Sequence, residues 1–171
     1  MVIVTGAPRT GTSLMVRIVA ALGVPPVAKP FLWEHRGKHD FNPEGFYDSK
    51  LFDILRAKPG QGCMKVWGAG VAMLPRGVAS HIIMCKREPH AAIESHVRWL
   101  RRCHWPFPRT VARWINGCHA EVAMPCGIPV LVVELEELKK DVLGVVSKIA
   151  RFIDAPTDTS ALRNAAAMVR S

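Results

Sequence analysis

The sequence predicts a three-layer α/β protein in which helices flank a central parallel sheet of about four to five strands. Short apolar runs at residues 2–4, 63–67, 81–85 and 129–133 have the length and composition of buried strands. Amphipathic segments with helical spacing separate these runs, as is typical of parallel sheets covered on both faces. A glycine-bracketed loop follows the first strand directly.

The first strand leads through a loop at residues 6–13 into a helix. From Thr12 onward, apolar residues recur at helical spacing, and Gly23 stands where the helix should end. A strand, a loop and a helix in this order bring main-chain N–H groups to the positive end of a helix dipole. That arrangement binds phosphate.

The central part of the chain predicts two further helices. One begins at Pro89 and carries the apolar residues Ile93, Val97 and Leu100, and the other covers residues 107–124. A short helix is expected at residues 50–57. Residues 31–50 are polar and aromatic without regular spacing, and a loop of that length is more often functional than spare.

The C-terminal part predicts one long amphipathic helix that begins near Glu136 and Glu137 and ends near Phe152, and a terminal helix at residues 160–170. Ligands of parallel α/β sheets bind outside the carboxyl ends of the strands. Residues 5–13, 65–68 and 86–89 should therefore share one edge of the sheet.

Length and composition limit the possible classes of protein. The 171 residues are expected to form one domain, residues 1–171, and a net charge of +9 indicates a polyanionic partner. The five cysteines are odd in number and scattered, which favours a reducing compartment and argues against both a disulfide framework and a zinc site. The N-terminal strand leaves no room for a leader, and no apolar run is long enough to cross a membrane. We expect a cytoplasmic protein without a metal.

The loop after the first strand differs from an ATP-binding loop at one position. Four residues separate Gly6 from Gly11, and Thr12 stands where a Walker A loop has the lysine that reaches the β- and γ-phosphates. Arg9 is the only cation within the loop. The pattern predicts an anion site but argues against ATP with magnesium.

A second cation site is predicted after the third strand. Arg87 ends that strand, Pro89 opens the following helix, and Ser95 lies eight residues beyond Arg87. An arginine and a helical hydroxyl can hold a second phosphate between them. A surface arginine and a solvated serine would be the simpler explanation of this pattern taken alone.

Taken together, these motifs resemble the P-loop sulfotransferases, which use 3′-phosphoadenosine 5′-phosphosulfate (PAPS). Residues 8–13 are similar to the family's 5′-phosphosulfate loop, and Arg87, Pro89 and Ser95 are similar to its 3′-phosphate site. Residues 42–48 resemble an Asn-Pro-x-Gly-aromatic segment of bacterial members, and residues 130–156 resemble the closing strand and helix. The resemblance covers most of the chain and implies a P-loop fold.

The resemblance implies a role for each motif residue. Arg9 would stabilise charge on the bridging oxygen as the sulfuryl group leaves, and Lys65 would approach that group. Transfer would run in line from PAPS to an acceptor hydroxyl or amine without metal, leaving adenosine 3′,5′-bisphosphate. Arg87 and Ser95 would hold the 3′-phosphate. The residues that would hold the 5′-phosphate lie in the loop: Pro8, Arg9, Thr10, Gly11, Thr12 and Ser13.

The sequence departs from the family pattern at the general base. Cytosolic members have Lys-Thr-His where this chain has Lys65, Val66 and Trp67, so their catalytic histidine is missing. Members that lack it use a glutamate soon after the first helix, which points to Glu34, with Asp48 and His35 as the other candidates. The C-terminal glycine-rich nucleotide loop is not evident. The acceptor stays open among carbohydrate, lipid, peptide and small alcohol.

Two other functions compete with sulfuryl transfer. A non-catalytic module that binds anions or nucleic acid is suggested by the arginines and tryptophans of residues 98–114. A degenerate P-loop kinase is the less favoured alternative because of Thr12. The first would show binding that depends steeply on salt, and the second would prefer ATP with magnesium to PAPS.

Overall fold

The computed structural model describes residues 1–27, 54–60, 62–120 and 127–169. Within these ranges the helices and strands alternate as predicted. A 3₁₀ helix at Gly68–Met73 follows the second strand. The strands are β1 (Val2–Gly6), β2 (Cys63–Lys65), β3 (His81–Lys86) and β4 (Val130–Glu134). The helices are α1 (Thr12–Ala21), α2 (Pro89–Arg102), α3 (Pro108–Ala120), α4 (Leu135–Lys140), α5 (Val142–Phe152) and α6 (Thr159–Ala167).

The four strands form one parallel sheet in the order β2-β1-β3-β4. This confirms the predicted α/β class and the parallel central sheet flanked by helices. Val4 pairs with Lys65 on one side of β1, and Gly6 pairs with Cys85 on the other. Because the chain crosses from β2 over β1 to β3, the strand order reverses between β1 and β3. Ligands of such sheets bind at that reversal, beyond the carboxyl ends of the strands.

Alternate residues of β1 belong to two different apolar clusters, because successive side chains of a strand point to opposite faces of the sheet. Val2 and Val4 face the larger cluster, to which α1, α5 and α6 contribute. Ile3 faces a smaller cluster with Ile82 and Met64, which the 3₁₀ helix helps to cover. Helical layers on the two faces therefore position the loop that leaves β1.

One predicted helix is in fact two. The apolar spacing near residue 141 suggested a single helix, but Asp141 adopts φ −130° and ψ 76° and separates α4 from α5. Its Oδ1 accepts a hydrogen bond from the N–H of Gly144 at 2.9 Å and so caps α5. The predicted second strand is also too long, because it ends at Lys65 rather than at Trp67.

Three predicted segments lie wholly or partly outside the described ranges. They are the irregular region at residues 31–50, the start of the short helix at residues 50–57, and the end of the helix predicted at residues 107–124. No helix in the described part of the chain is both long and apolar enough to cross a bilayer.

Candidate functional site

The loop after β1 turns sharply back toward the start of α1. Gly6 has φ +153°, and a Cβ atom on it would overlap the main-chain oxygen of Cys85. Thr10 donates from Oγ1 to the oxygen of Ala7 at 2.7 Å, which closes the turn. Gly11 then takes φ +89° immediately before α1. A side chain at Gly6 would push the loop off β3, so the glycine permits this close approach.

The N-terminal turn of α1 carries no compensating negative charge of its own. Gly11 provides no side-chain cap, and the first turn of α1 contains no acidic residue. The first N–H groups of a helix lack partners within it and carry about half a positive charge. Among the described residues this is the helix end best suited to an anion, and Thr12 and Ser13 add hydroxyl groups to it.

Arg9 points from this loop toward α2. Its Nε donates to Ser95 Oγ at 3.3 Å, and Ser95 is 8% exposed. The backbone of Arg9 has φ +70°, a left-handed conformation that costs a non-glycine residue about 1–2 kcal/mol. The two regions that sequence patterns assigned to separate phosphates are thus in direct contact.

Arg87 joins the same group from the end of β3. Its Nη1 donates to the main-chain oxygen of Arg9 at 3.2 Å. Its Nε lies 3.5 Å from Glu136 Oε1, close enough for an ion pair. That Nε is buried and makes no hydrogen bond to the described part of the protein, so we count the Glu136 contact as electrostatic only. Because this Nε is buried beside Glu136, a ligand would have to use the other N–H groups of the guanidinium.

Lys65 approaches the loop from the opposite side. Its Nζ donates to Ser13 Oγ at 3.2 Å. The parallel register explains this contact, because Lys65 ends β2 beside Val4 and the loop begins two residues later. Cations from β2, the loop and β3 therefore converge on the start of α1.

The electrostatics of the group favour a bound anion. Burial lowers the pKa of Arg9, and the neighbouring charges of Arg87 and Arg98 lower it further. A lowered pKa means that the charged form of Arg9 is less stable here than in water. An anion between these cations would remove the repulsion. The donor set of main-chain N–H groups, hydroxyls and guanidinium groups suits phosphate or sulfate.

The start of α2 is already occupied by a carboxylate. Glu88 Oε1 accepts from the N–H of His90 at 2.8 Å, and Oε2 accepts from the N–H of Ala91 at 2.6 Å. These bonds lower the pKa of Glu88, with the bond from His90 as the largest cause. A second anion would therefore contact Arg87 and Ser95 rather than the N–H groups at the start of α2.

Sequence reasoning missed two acidic residues of the site. Glu88 precedes Pro89 at a helix start, which is a recognisable capping position. Glu136 was assigned only to the first turn of a helix, and nothing in the sequence near it indicates a contact with Arg87. The candidate bases Glu34, His35 and Asp48 lie outside the described residues. No group of three or more His, Cys, Asp or Glu within the described ranges could hold a metal ion.

Neither a scan against protein-family models nor a search of curated proteins gave a match. Solved structures do match. Mouse sulfotransferase SULT7A1 complexed with PAP has a TM-score of 0.64 and 16% identity, over 98% of this chain and 63% of that one. The sulfotransferase domain from the curacin biosynthetic pathway has a TM-score of 0.57 and 17% identity, over 96% of this chain and 77% of that one.

A third match is retinol dehydratase in complex with androsterone and inactive cofactor PAP, with a TM-score of 0.53 and 14% identity. It covers 98% of this chain and 63% of the retinol dehydratase chain. The likeness shows that the chain has a sulfotransferase fold. The chain spans 63% of the length of two of these structures.

Proposed function

We propose that the protein is a PAPS-dependent sulfotransferase. The observation that carries the proposal is the meeting of Arg9, Arg87 and Ser95 at the reversal of strand order. The two anion sites that the sequence predicts would adjoin there. PAPS carries anionic groups at both its 5′ and 3′ positions, which distinguishes it from ATP. Solved proteins of the same fold were crystallised with PAP, which supports this assignment.

The proposed binding mode uses residues from both sides of the reversal. The loop of residues 8–13 and the start of α1 hold the 5′-phosphosulfate through N–H and hydroxyl groups. Arg87 and Ser95 hold the 3′-phosphate. Ser95 Oγ accepts from Arg9, so its own hydrogen remains available for a phosphate oxygen.

When bound, the donor supplies the sulfuryl group. The acceptor oxygen or nitrogen forms the new bond to sulfur as the bond from sulfur to the bridging oxygen breaks in line, and the acceptor proton passes to a general base. Arg9 and Lys65 stabilise the negative charge that develops, because preorganised cations cost no reorganisation during the reaction. We propose Glu34 as the base, with Asp48 and His35 as the other candidates.

We further propose that residues 1–171 form a single domain that works in the cytoplasm on a carbohydrate, lipid, peptide or small alcohol. Cys63, Cys85 and Cys103 are free thiols, which supports a reducing compartment.

Donor binding is tested by thermal denaturation with PAPS, with adenosine 3′,5′-bisphosphate, and with ATP and magnesium. We expect PAPS and adenosine 3′,5′-bisphosphate each to raise the Tm of the protein without magnesium. Arg87→Ala should abolish the shift, whereas Arg101→Ala, which removes an exposed arginine at the far end of α2, should retain it. A Tm that responds to neither PAPS nor the bisphosphate would refute the proposal.

Catalysis is tested by transfer of radiolabelled sulfate to a panel of acceptors. Glu34→Gln and Asp48→Asn are measured beside the wild-type protein. Loss of transfer with retained bisphosphate binding in one of these variants would identify the base. Bisphosphate binding without transfer to any acceptor would instead favour the non-catalytic anion-binding module.

A further inference from the structure

Helices α2 and α3 form a hairpin with its own small core. Their main contacts among the described elements are with each other, and α3 also contacts the 3₁₀ helix. The buried residues of this core are Val97, Leu100 and Ala112. We call residues 101–114, which include the turn and the adjoining ends of both helices, the α2–α3 finger. Its outer side is available to a partner.

The turn of the finger is well defined and strained. The N–H of Trp105 bonds to the oxygen of Leu100 at 3.1 Å, and the N–H of His104 bonds to that of Arg101 at 3.0 Å, which is a Schellman ending. His104 has φ +56° and Phe107 has φ +51°. Left-handed backbone is unfavourable for a bulky residue such as phenylalanine. Two hydrogen bonds and a proline at the start of α3 maintain the turn despite this cost.

This turn presents aromatic rings to solvent. Trp105 is 53% exposed, Phe107 is 79% exposed, and Trp114 is 70% exposed. Phe107 directly precedes α3, and Trp114 lies in the second turn of that helix, so both rings belong to the finger. Val111 and Ala112 of α3 pack against the apolar residues of α2. Exposed rings grouped in this way mark a site of interaction.

The same finger is strongly basic. Five arginines and no acidic residue occur between Ser95 and Ala120. One acid from the preceding turn, Glu94, approaches Arg109 at 3.6 Å. The exposed arginines of the finger are Arg101, Arg102, Arg109 and Arg113. The rings therefore lie within a few residues of four arginines, in a stretch that contains no acidic residue of its own.

We propose that the α2–α3 finger docks on the surface of an anionic phospholipid bilayer. Aromatic rings prefer the boundary between headgroups and acyl chains, and arginines beside them contact lipid phosphates. Charge complementarity selects an anionic bilayer over a neutral one. Single-stranded nucleic acid is the less suitable occupant, because it is bound in grooves whose walls supply stacking rings, and these rings lie on a turn.

Docking is tested by sedimentation with phosphatidylcholine vesicles that either contain or lack phosphatidylserine. We expect binding only to the anionic vesicles, and we expect it to weaken as salt rises from about 0.05 M to about 0.5 M. Phe107→Gly with Trp114→Gln should weaken binding about tenfold or more. Glycine relieves the left-handed backbone at position 107, so this variant should remain folded. The control is Leu143→Ser, which removes an apolar side chain of α5 that is 54% exposed.

The contribution of charge is tested with two double variants of equal net charge. Arg101→Gln with Arg113→Gln should weaken binding to anionic vesicles about tenfold or more. Lys139→Gln with Lys140→Gln, at the end of α4, should have little effect. The Tm of each variant without any ligand checks that the rest of the fold is intact.

Three outcomes would overturn the proposal. The first is that the protein does not bind anionic vesicles, and the second is that the finger and control variants lose vesicle binding equally. The third is that a single-stranded oligonucleotide binds more tightly and displaces the protein from the vesicles. Selective loss in the finger variants supports it. Vesicle binding does not depend on the donor, so its failure is distinguishable from failure of the sulfotransferase proposal.

Discussion

Arg87 Nη1 donates to the main-chain oxygen of Arg9 at 3.2 Å and so ties the end of β3 to the loop after β1. Arg9 in turn donates to Ser95 Oγ at 3.3 Å, which connects the loop to α2. A ligand held by any one of these groups therefore affects the positions of the others. Four predictions follow from the contacts of this group and its neighbours.

Arg87→Lys should weaken binding of adenosine 3′,5′-bisphosphate about tenfold although it keeps the charge. Lysine carries its three N–H donors on one nitrogen, so it lacks the fixed fork by which a guanidinium group spans the oxygen of Arg9 and a phosphate. Isothermal titration calorimetry at fixed ionic strength measures the effect. Arg101→Lys is the matched control. Affinity equal to that of the wild type would mean that charge alone matters at position 87.

Glu136→Gln should tighten bisphosphate binding about two- to fivefold at low salt. It removes a negative charge beside Arg87 and keeps an oxygen that can face the guanidinium group. Glu137→Gln makes the same change in net charge at an exposed position of α4 and should have a smaller effect. Weaker binding in Glu136→Gln would show instead that the carboxylate mainly positions Arg87.

Alanine substitutions at three glycines should separate backbone strain from steric overlap. Gly77 has φ +77° with open space around it among the described residues, so Gly77→Ala should lower the free energy of unfolding by about 1 kcal/mol. Gly11→Ala adds a 3.0 Å approach to Leu135 Cδ1, which a flexible side chain can relieve. Gly6→Ala adds overlap with main-chain atoms and should cost about 2–4 kcal/mol.

Urea denaturation measures this glycine series. The expected order of destabilisation is Gly6→Ala, then Gly11→Ala, then Gly77→Ala. Equal losses of unfolding free energy in Gly6→Ala and Gly77→Ala would contradict the close approach of the loop to β3.

The stability conferred by Glu88 should depend on pH. Its pKa lies below the ordinary value of 4.5 because the carboxylate accepts N–H bonds from His90 and Ala91. A carboxyl whose pKa is lower in the folded state stabilises the fold above the unfolded pKa, and the effect disappears as pH falls through the folded pKa. Glu88→Gln should therefore lower the Tm at pH 7 by about 2–4 °C.

Differential scanning calorimetry between pH 7 and strongly acidic pH measures this effect. The difference in Tm between Glu88→Gln and the wild type should shrink below pH 4.5. Asp158→Asn should behave alike, because Asp158 caps α6 and has a pKa lowered first by its bond to Ser160. A Tm difference that stays constant across this range would show that neither carboxylate caps its helix in solution.

The elements around the site could be predicted because they depend on neighbours in the sequence. The apolar run of residues 2–4, the glycines at positions 6 and 11, and the proline at position 89 each limit the backbone locally. The predicted parallel sheet is confirmed, and its strands could be predicted because each one follows from an apolar run in the local sequence. The single helix predicted across Asp141 was wrong, because the apolar spacing continues past this residue while its hydrogen-bonded cap starts a new helix.

The sequence by itself determined that a glycine-bracketed loop follows β1 and that an arginine directly follows β3. Only the tertiary structure decided that Arg9 contacts Ser95 and that Glu136 faces Arg87. Parallel strands bring distant segments side by side at one edge, and Arg87 lies 78 residues from Arg9 in the chain. The sequence predicted that both segments lie at this edge, but local spacing does not specify which of their side chains come into contact. Strand order and register determine which side chains share the site, and both depend on how the two faces of the sheet are buried.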